Sequence, residues 1–405
     1  MKRHEAVVIG AGIGGLATAV ALHQRGWQVS VHERAGSLEP VGSGIGMAPN
    51  ALRALDVLGL GDAVRDRAVP QDGVALRSST GRALATTTGA AFERAYGDTV
   101  MALARAELVG FLRERLPDGC LHLSSEARIV DAGSLTRPAR ISTAEGEVEA
   151  EFVAAADGIR SATRSLLFPD HPGPQYSGFT TWRTIVPAPP GVPLPVGETW
   201  GRGATAGVVP LADGLVYLYA AACVPPGERA SDGDERAELL RRFGDWFQPL
   251  PQLFALSEPD RVLRHDVWEL VRPLRDFHRG RVALVGDAAH AMTPFQGQGA
   301  CQAVEDAVVL AAELDVAEDW ASLAGYSAAR VSRTSAVASR SRQVAGLIAR
   351  RTAPAVAVRD LVMRLGGLLP ERAVVRAAAP MLDWTPPAAP PGGPGVDMTK
   401  AHFSL

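Results

Sequence analysis

The chain has 405 residues, 47% hydrophobic and 21% charged, which is enough for two domains with separate cores. A net charge of -3 gives no electrostatic reason to expect nucleic acid or an anionic membrane as partner. Cys120, Cys223 and Cys301 are scattered without a Cys-x-x-Cys, and the histidines show no ligand spacing. That argues against a disulfide framework and a metal site, and suits a reducing cytoplasm.

In chain order, Glu5 to Ile9 reads as a short buried strand, Gly14 to Arg25 as a helix and Trp27 to His32 as a second strand. Such a βαβ unit implies a parallel sheet. Lys2 and Arg3 before the apolar run Ala6 to Leu22 have the outline of a signal peptide, but glycines at 10, 12, 14 and 15 fall where a strand-to-helix turn needs them. No other stretch approaches the ~18 apolar residues of a membrane span. Asn50 to Leu58 reads as a helix with Asn50 as its N-cap, and Arg105 to Leu116 as another. From about Gly178 to Val224 the pattern alternates, and Gly207–Leu211 and Leu215–Tyr219, separated by Asp213-Gly214, read as an antiparallel hairpin. Arg281 to Val285 returns to a buried parallel strand, and Gly299 to Leu314 to a long helix. The segment after Ala345 reads as helical, and the Pro/Gly-rich stretch from Thr385 to Pro394 holds no regular structure.

The expected class is therefore α/β: a discontinuous Rossmann-type domain carrying an inserted mixed or antiparallel sheet, followed by C-terminal helices. The boundaries expected are 1–70, 98–175 and 273–345 for the nucleotide-binding domain. Residues 71–97 and 176–272 form the inserted domain, and 346–405 the C-terminal helices and tail.

Three motifs carry the chemistry. Gly10, Gly12 and Gly15 fit Gly-x-Gly-x-x-Gly, with Gly14 beside them. The first permits a tight turn, the second lets the backbone approach a pyrophosphate, and the third lets helix and strand pack closely. The helix N-terminus offers free N–H groups to phosphates, and Glu33 at the end of the second strand is placed to accept hydrogen bonds from a ribose. This motif fits FAD and NAD equally. Asp157-Gly158 ends the strand Phe152 to Ala156, and Asp287 follows Gly286 at the end of a buried strand. A carboxylate at the C-terminal edge of a parallel strand faces the crevice where ligands bind, although an Asp-Gly turn or a helix cap accounts for each alone. Gln296 to Ala300 then opens the long helix, with backbone amides available to a flat ring bearing carbonyls. Glu305 and Asp306 read as favourable charges near its N-terminus rather than catalytic groups.

In this order the motifs resemble the single-component FAD-dependent monooxygenases of the p-hydroxybenzoate hydroxylase fold, over roughly residues 5–345. Gly286–His290 and Gly297–Ala307 resemble the branch with salicylate, 3-hydroxybenzoate and urate hydroxylases and zeaxanthin epoxidase. The resemblance implies that Gly10, Gly12, Gly14 and Gly15 hold the pyrophosphate of FAD, and Glu33 with Arg34 the adenosine end. Gly44, Ile45, Gly46 and Met47 approach the flavin side, Arg105 contacts FAD, and Val130 meets the adenine through its backbone. Asp287 binds the ribityl or pyrophosphate region, while Gly299 and Ala300 present N–H groups to the isoalloxazine. Asp157 matches an aspartate linked to FAD and to the nicotinamide donor.

The implied reaction consumes NAD(P)H and O2, forms a flavin hydroperoxide, and hydroxylates or epoxidises an aromatic or polyketide-like molecule. No second glycine motif is present for NAD(P)H, which fits a transient donor. Substrate-side candidates are Trp182, Arg183, Tyr217, Pro294 and Phe295, with Trp200, Arg202 and Thr205 on the same inserted segment. Thr205 stands where urate hydroxylase uses an arginine, which disfavours urate. Core packing accounts for the aromatics equally well. The alternatives are a non-oxygenating FAD-dependent reductase or dehydrogenase of the same fold, and a flavin-binding non-enzyme. A flavin halogenase is disfavoured because no lysine lies between Lys2 and Lys400 and no Trp-x-Trp-x-Ile-Pro occurs.

Overall fold

The computed structural model describes residues 4–38, 42–230, 233–316, 320 and 323–388. Strands β1 (Glu5–Ile9) and β2 (Gln28–His32) flank helix α1 (Ile13–Gln24) and pair in parallel, from Glu5 opposite Gln28 to Ile9 opposite His32. The full sheet has six strands in the order His278–Arg279, Val282–Leu284, Phe152–Ala155, β1, β2, Leu121–His122. All pairs are parallel except the first hairpin. Helix α1 is buried along most of its length because it packs against helix Gly299–Val316 as well as against the sheet. That burial accounts for the apolar run Ala6 to Leu22, since a helix covered on both sides needs no polar face.

Strand β3 (Gly44–Met47) pairs with Met101–Ala104 in a small sheet, and helix α2 (Pro49–Val57) follows it. Here Asn50 is not the N-cap. Ala48 occupies that position and Pro49 the first turn, where its missing N–H costs nothing. Asn50 turns inward instead, its Nδ2 donating to Glu305 Oε1 at 2.7 Å and Gln298 Oε1 at 3.0 Å.

A second sheet has seven strands in the order Leu263–Glu269, Gln175–Pro187, Leu215–Cys223, Ala204–Pro210, Gly197–Trp200, Gly73–Ser78, Ala83–Thr88. Only Gly197–Trp200 and Gly73–Ser78 run in parallel, so the sheet is mixed. One face buries Trp182, Val186, Ala206, Val208 and Leu218 under helices Glu235–Phe243 and Leu250–Ala255. Val186, Val208 and Leu218 each contribute roughly 1.5–3 kcal/mol by being fully buried. The opposite face looks toward β3 and the nucleotide-binding sheet. Helices Leu323–Ile348, Ala353–Gly366 and Glu371–Leu382 complete the described chain, and Thr385 to Ala388 has no regular structure. Residues 389–394 of the expected Pro/Gly-rich tail lie outside the described residues.

Candidate functional site

Four glycines close to one turn do different work. Gly10 has φ +98°, and a Cβ there would run into the Ala156 carbonyl. A Cβ on Gly15 would strike the Gly10 carbonyl oxygen, and one on Gly14 would lie 3.2 Å from Ala303 Cβ. Gly12 differs: nothing lies within 4 Å of its Cβ position, and its φ of −70° suits any residue. Gly10 and Gly15 are therefore required by the protein's own backbone packing and Gly14 is tightly packed, whereas among the described residues nothing fills the space at Gly12. As N-cap of α1 it supplies no side-chain acceptor, which leaves the first-turn N–H groups to an incoming anion.

Glu33 is fixed beside this turn. Its Oε2 accepts from Ala11 N–H and its Oε1 from Ala35 N–H, both at 2.8 Å. Each oxygen retains a lone pair for a ribose hydroxyl. Arg34 is exposed next to it. Val130 falls at a register shift, where Arg140 opposes Asp131 and Ile141 opposes Ile129, so it has no ladder partner.

Asp157 accepts Thr163 N–H on Oδ2 at 3.0 Å, while its Oδ1 is buried without a partner among the described residues. Arg164, in the polar turn that follows Asp157-Gly158, is fully buried. It donates to the carbonyls of Ile159 at 2.6 Å and Ala288 at 2.9 Å, fastening the Asp157 turn to the Asp287 helix. Asp287 faces open space, yet the protein packed around it desolvates its carboxyl and pushes it up, while His290, Arg105 and Arg164 oppose that shift. Arg105 is exposed to the same space, and desolvation by the surrounding protein lowers its pKa, with Asp287 raising it and Arg183 lowering it further. Arg105, Arg183 and Asp287 come from three distant segments and share one space. Among the described residues the Arg105 guanidinium makes no hydrogen bond.

Gly299 and Ala300 open helix Gly299–Val316, and β3 lies against its first turn, where Cys301 Sγ reaches the Gly46 carbonyl at 3.6 Å. Glu305 and Asp306 are not solvated terminal charges. They lie beyond the first turn, where the helix faces inward, and both are fully buried. Glu305 accepts from Arg330, Arg333, Asn50 and Gln302. Asp306 accepts Gly286 N–H at 2.9 Å and Arg330 Nε at 2.7 Å, and lies 2.6 Å from His290 Nε2. Burial pushes the Asp306 carboxyl up, but His290 and Arg330 outweigh it and the net shift is downward. The cluster holds the Gly286–Asp287 turn against the helix. Nothing in the local sequence marks Arg330, because its partners lie a whole helix away.

On the mixed sheet, register decides which side chains reach this space. Arg183, Tyr219, Gly207 and Glu198 are direct neighbours across four strands. The next row holds His265, Thr181, Ala221, Thr205 and Trp200. Tyr217 shares this face, and a Cβ on Gly44 would lie 2.6 Å from its ring, so β3 packs directly on the tyrosine. Its hydroxyl has no hydrogen-bond partner among the described residues; burial raises its pKa and Arg183 opposes the rise. Tyr219 donates to Glu198 Oε1 at 2.7 Å and Trp200 Nε1 to Oε2 at 3.0 Å. Burial keeps the Glu198 pKa above the usual carboxylate range despite both bonds. The alternation of Tyr217 and Tyr219 along one strand was the available signal for Tyr219.

Trp182 does not belong to this pocket. Successive strand residues point to opposite faces, so Arg183 on the site face sends Trp182 into the far core. There its Nε1 donates to Glu235 at 2.7 Å, and Arg242 covers its ring at 5.4 Å. Phe295 is half-buried and meets Phe179 edge-on at 4.8 Å, farther along the site face, while Pro294 is exposed in the same 3-10 turn.

The residues fit a dinucleotide: an open Gly12, a pinned Glu33, an unpartnered Asp157 oxygen and an unbonded Arg105 line one crevice. Comparisons with known proteins agree. The FAD binding domain family matches residues 3–341. The chain is 36% identical over 361 residues to the aurachin C monooxygenase/isomerase of Stigmatella aurantiaca, covering 89% of this chain and 93% of that protein. It is 32% identical over 337 residues to the FAD-dependent urate hydroxylase of Klebsiella pneumoniae, covering 81% and 86%. The structure of Klebsiella pneumoniae HpxO with FAD and uric acid is similar at a TM-score of 0.83 and 26% identity, covering 92% of this chain and 95% of that one. The chain belongs to the single-component FAD-dependent aromatic monooxygenases of the p-hydroxybenzoate hydroxylase fold.

Proposed function

We propose that this FAD-dependent monooxygenase takes its electrons from NAD(P)H and oxygenates an aromatic or polyketide-like substrate carrying an acidic oxygen. The observation that carries the reading is Arg183. It is half-buried on the site face, its one hydrogen bond goes to the Thr181 hydroxyl at 3.3 Å, and no carboxylate pairs with it among the described residues. A partly desolvated cation without a counter-ion favours an anionic ligand. Tyr217, with its free hydroxyl, stands beside it as an orienting donor. Beside Arg183 on the same face, the Tyr219 ring covers Gly207, and a Cβ there would strike it.

For the cofactor, Gly12 and the first turn of α1 receive the pyrophosphate, Glu33 the ribose and the unpaired Val130 backbone the adenine. Arg105 and Asp287 border the ribityl chain, and the amides of Gly299 and Ala300 meet the ring. Bound FAD supplies oxygen activation. The protein's task is to hold the substrate in line and exclude water. The test compares naphthols and hydroxyquinolines with their methyl ethers as stimulators of NAD(P)H oxidation. Acidic compounds should stimulate and ethers should not, and Arg183→Ala should abolish the distinction. Equal stimulation by both classes would remove the acidic oxygen from the reading.

A further inference from the structure

We infer that helix Ala353–Gly366 docks the enzyme onto an anionic lipid surface. Val358, Leu361, Val362, Leu365, Leu368 and Leu369 each leave more than half of their surface exposed. The helical ones recur at three- and four-residue steps, which places them on one face. The opposite side is anchored: Arg359 is buried, donates to the Gly201 carbonyl at 2.8 Å and covers the Trp200 ring at 5.6 Å. Other large exposed apolar residues are scattered singly over the described surface. A concentrated apolar stripe of this kind marks an interaction surface.

The charge around the stripe selects the occupant. Arg350, Arg364, Arg372 and Arg376 are exposed and pair with no carboxylate among the described residues. The neighbouring acids are already engaged, Asp360 by Arg359 at 2.7 Å and Glu371 by Arg94 at 3.3 Å. Just before the helix, Arg202, Arg242 and Arg351 line a groove of about 320 Å³, and Gly203 N–H donates to the Arg350 carbonyl at 2.9 Å. Among the described residues, Arg242 is held by Glu238 and Glu228, whereas Arg351 bonds only the Cys223 carbonyl and Arg202 has no acidic partner. Leucines beside uncompensated arginines match the acyl boundary and phosphate headgroups of an anionic bilayer. A two-fold contact with a second copy would instead bring these arginines toward one another. No helix among the described residues is long and apolar enough to cross a membrane, so the contact is peripheral. The whole-chain charge of -3 conceals this local excess. The helix also lies outside the family match, which ends at residue 341.

The test sediments the full-length, FAD-loaded enzyme with vesicles of phosphatidylcholine alone and of equal parts phosphatidylcholine and phosphatidylglycerol. Binding to the phosphatidylglycerol vesicles is expected, weakening as salt rises. L361S/L365S should weaken it by at least about tenfold, and Arg202→Glu or Arg364→Glu by about 5-fold or more, with flavin content and melting temperature unchanged. Three results would overturn the inference: no vesicle binding by wild type, equal binding of both vesicle types regardless of salt, or equal binding by the variants. Sedimentation velocity run alongside separates the competing occupant. A wild-type dimer that L361S/L365S dissociates, without vesicle binding, would assign this face to a second copy.

Discussion

The glycine turn and the mixed sheet build two halves of one crevice by opposite means. At the turn, the proposed contact is backbone, and what matters is the side chain that is missing. On the sheet, the proposed contacts are side chains whose direction depends on register. A missing Cβ is written in the sequence, whereas the face on which a strand residue emerges is settled only by pairing. Trp182 and Arg183, neighbours in the chain, end on opposite sides of the sheet for that reason.

The largest effect should separate glycines within the turn. Gly12→Val should lower FAD affinity by more than about 100-fold while leaving apo-protein stability intact, because its Cβ position is empty and its backbone angles are unstrained. Gly15→Ala should do the reverse, destabilising the fold by about 1–3 kcal/mol through the Gly10 carbonyl. Flavin titration and thermal melts of both variants check this, and matching profiles would erase the distinction between a ligand-facing and a packing glycine.

Next comes Glu33→Ala, which removes a charge-assisted contact of about 1.5–3 kcal/mol and should weaken FAD roughly 10- to 100-fold. FMN binding, which needs no ribose acceptor at that place, should be unaffected by the substitution. On the sheet, Trp182→Phe should cost about 1–3 kcal/mol of stability, because the buried Glu235 loses its donor. The yield of oxygenated product per NAD(P)H should stay at the wild-type value. A coupling defect in Trp182→Phe would return that residue to the pocket.

The smallest effect is expected from pH, in the cluster that joins the two halves. His290 and Arg330 hold the Asp306 carboxyl below the usual range. Its contribution is therefore complete above the unfolded aspartate value, near about 4, and is lost as pH falls through the depressed folded value. Asp306→Asn should be less stable at neutral pH and lose less on acidification, which denaturant melts across that range would reveal.

The βαβ turn, the strand-end aspartates and the hairpin were legible because turns need glycine and buried strands need apolar runs. Pro49 was a readable mark of the first helical turn, and it should have displaced Asn50 from the cap. Glu305 and Asp306 were misplaced because their helix position is visible in sequence but Arg330, Arg333 and His290 are not visible as partners. Glu198 stayed hidden for the same reason as Trp182, since only strand register lines it up with Arg183, whereas Tyr219 was signalled by its alternation with Tyr217.

The most direct measurement follows isotopically labelled O2 through wild type and Arg183→Ala, with peroxide quantified beside product. In wild type, one labelled oxygen should enter the product for each NAD(P)H consumed. Arg183→Ala should keep its FAD affinity and continue oxidising NAD(P)H while releasing peroxide, because a misplaced substrate cannot be oxygenated. Normal label incorporation by the variant would clear Arg183 of any positioning role. Unlabelled product from wild type, with turnover continuing in the absence of oxygen, would contradict oxygenation itself.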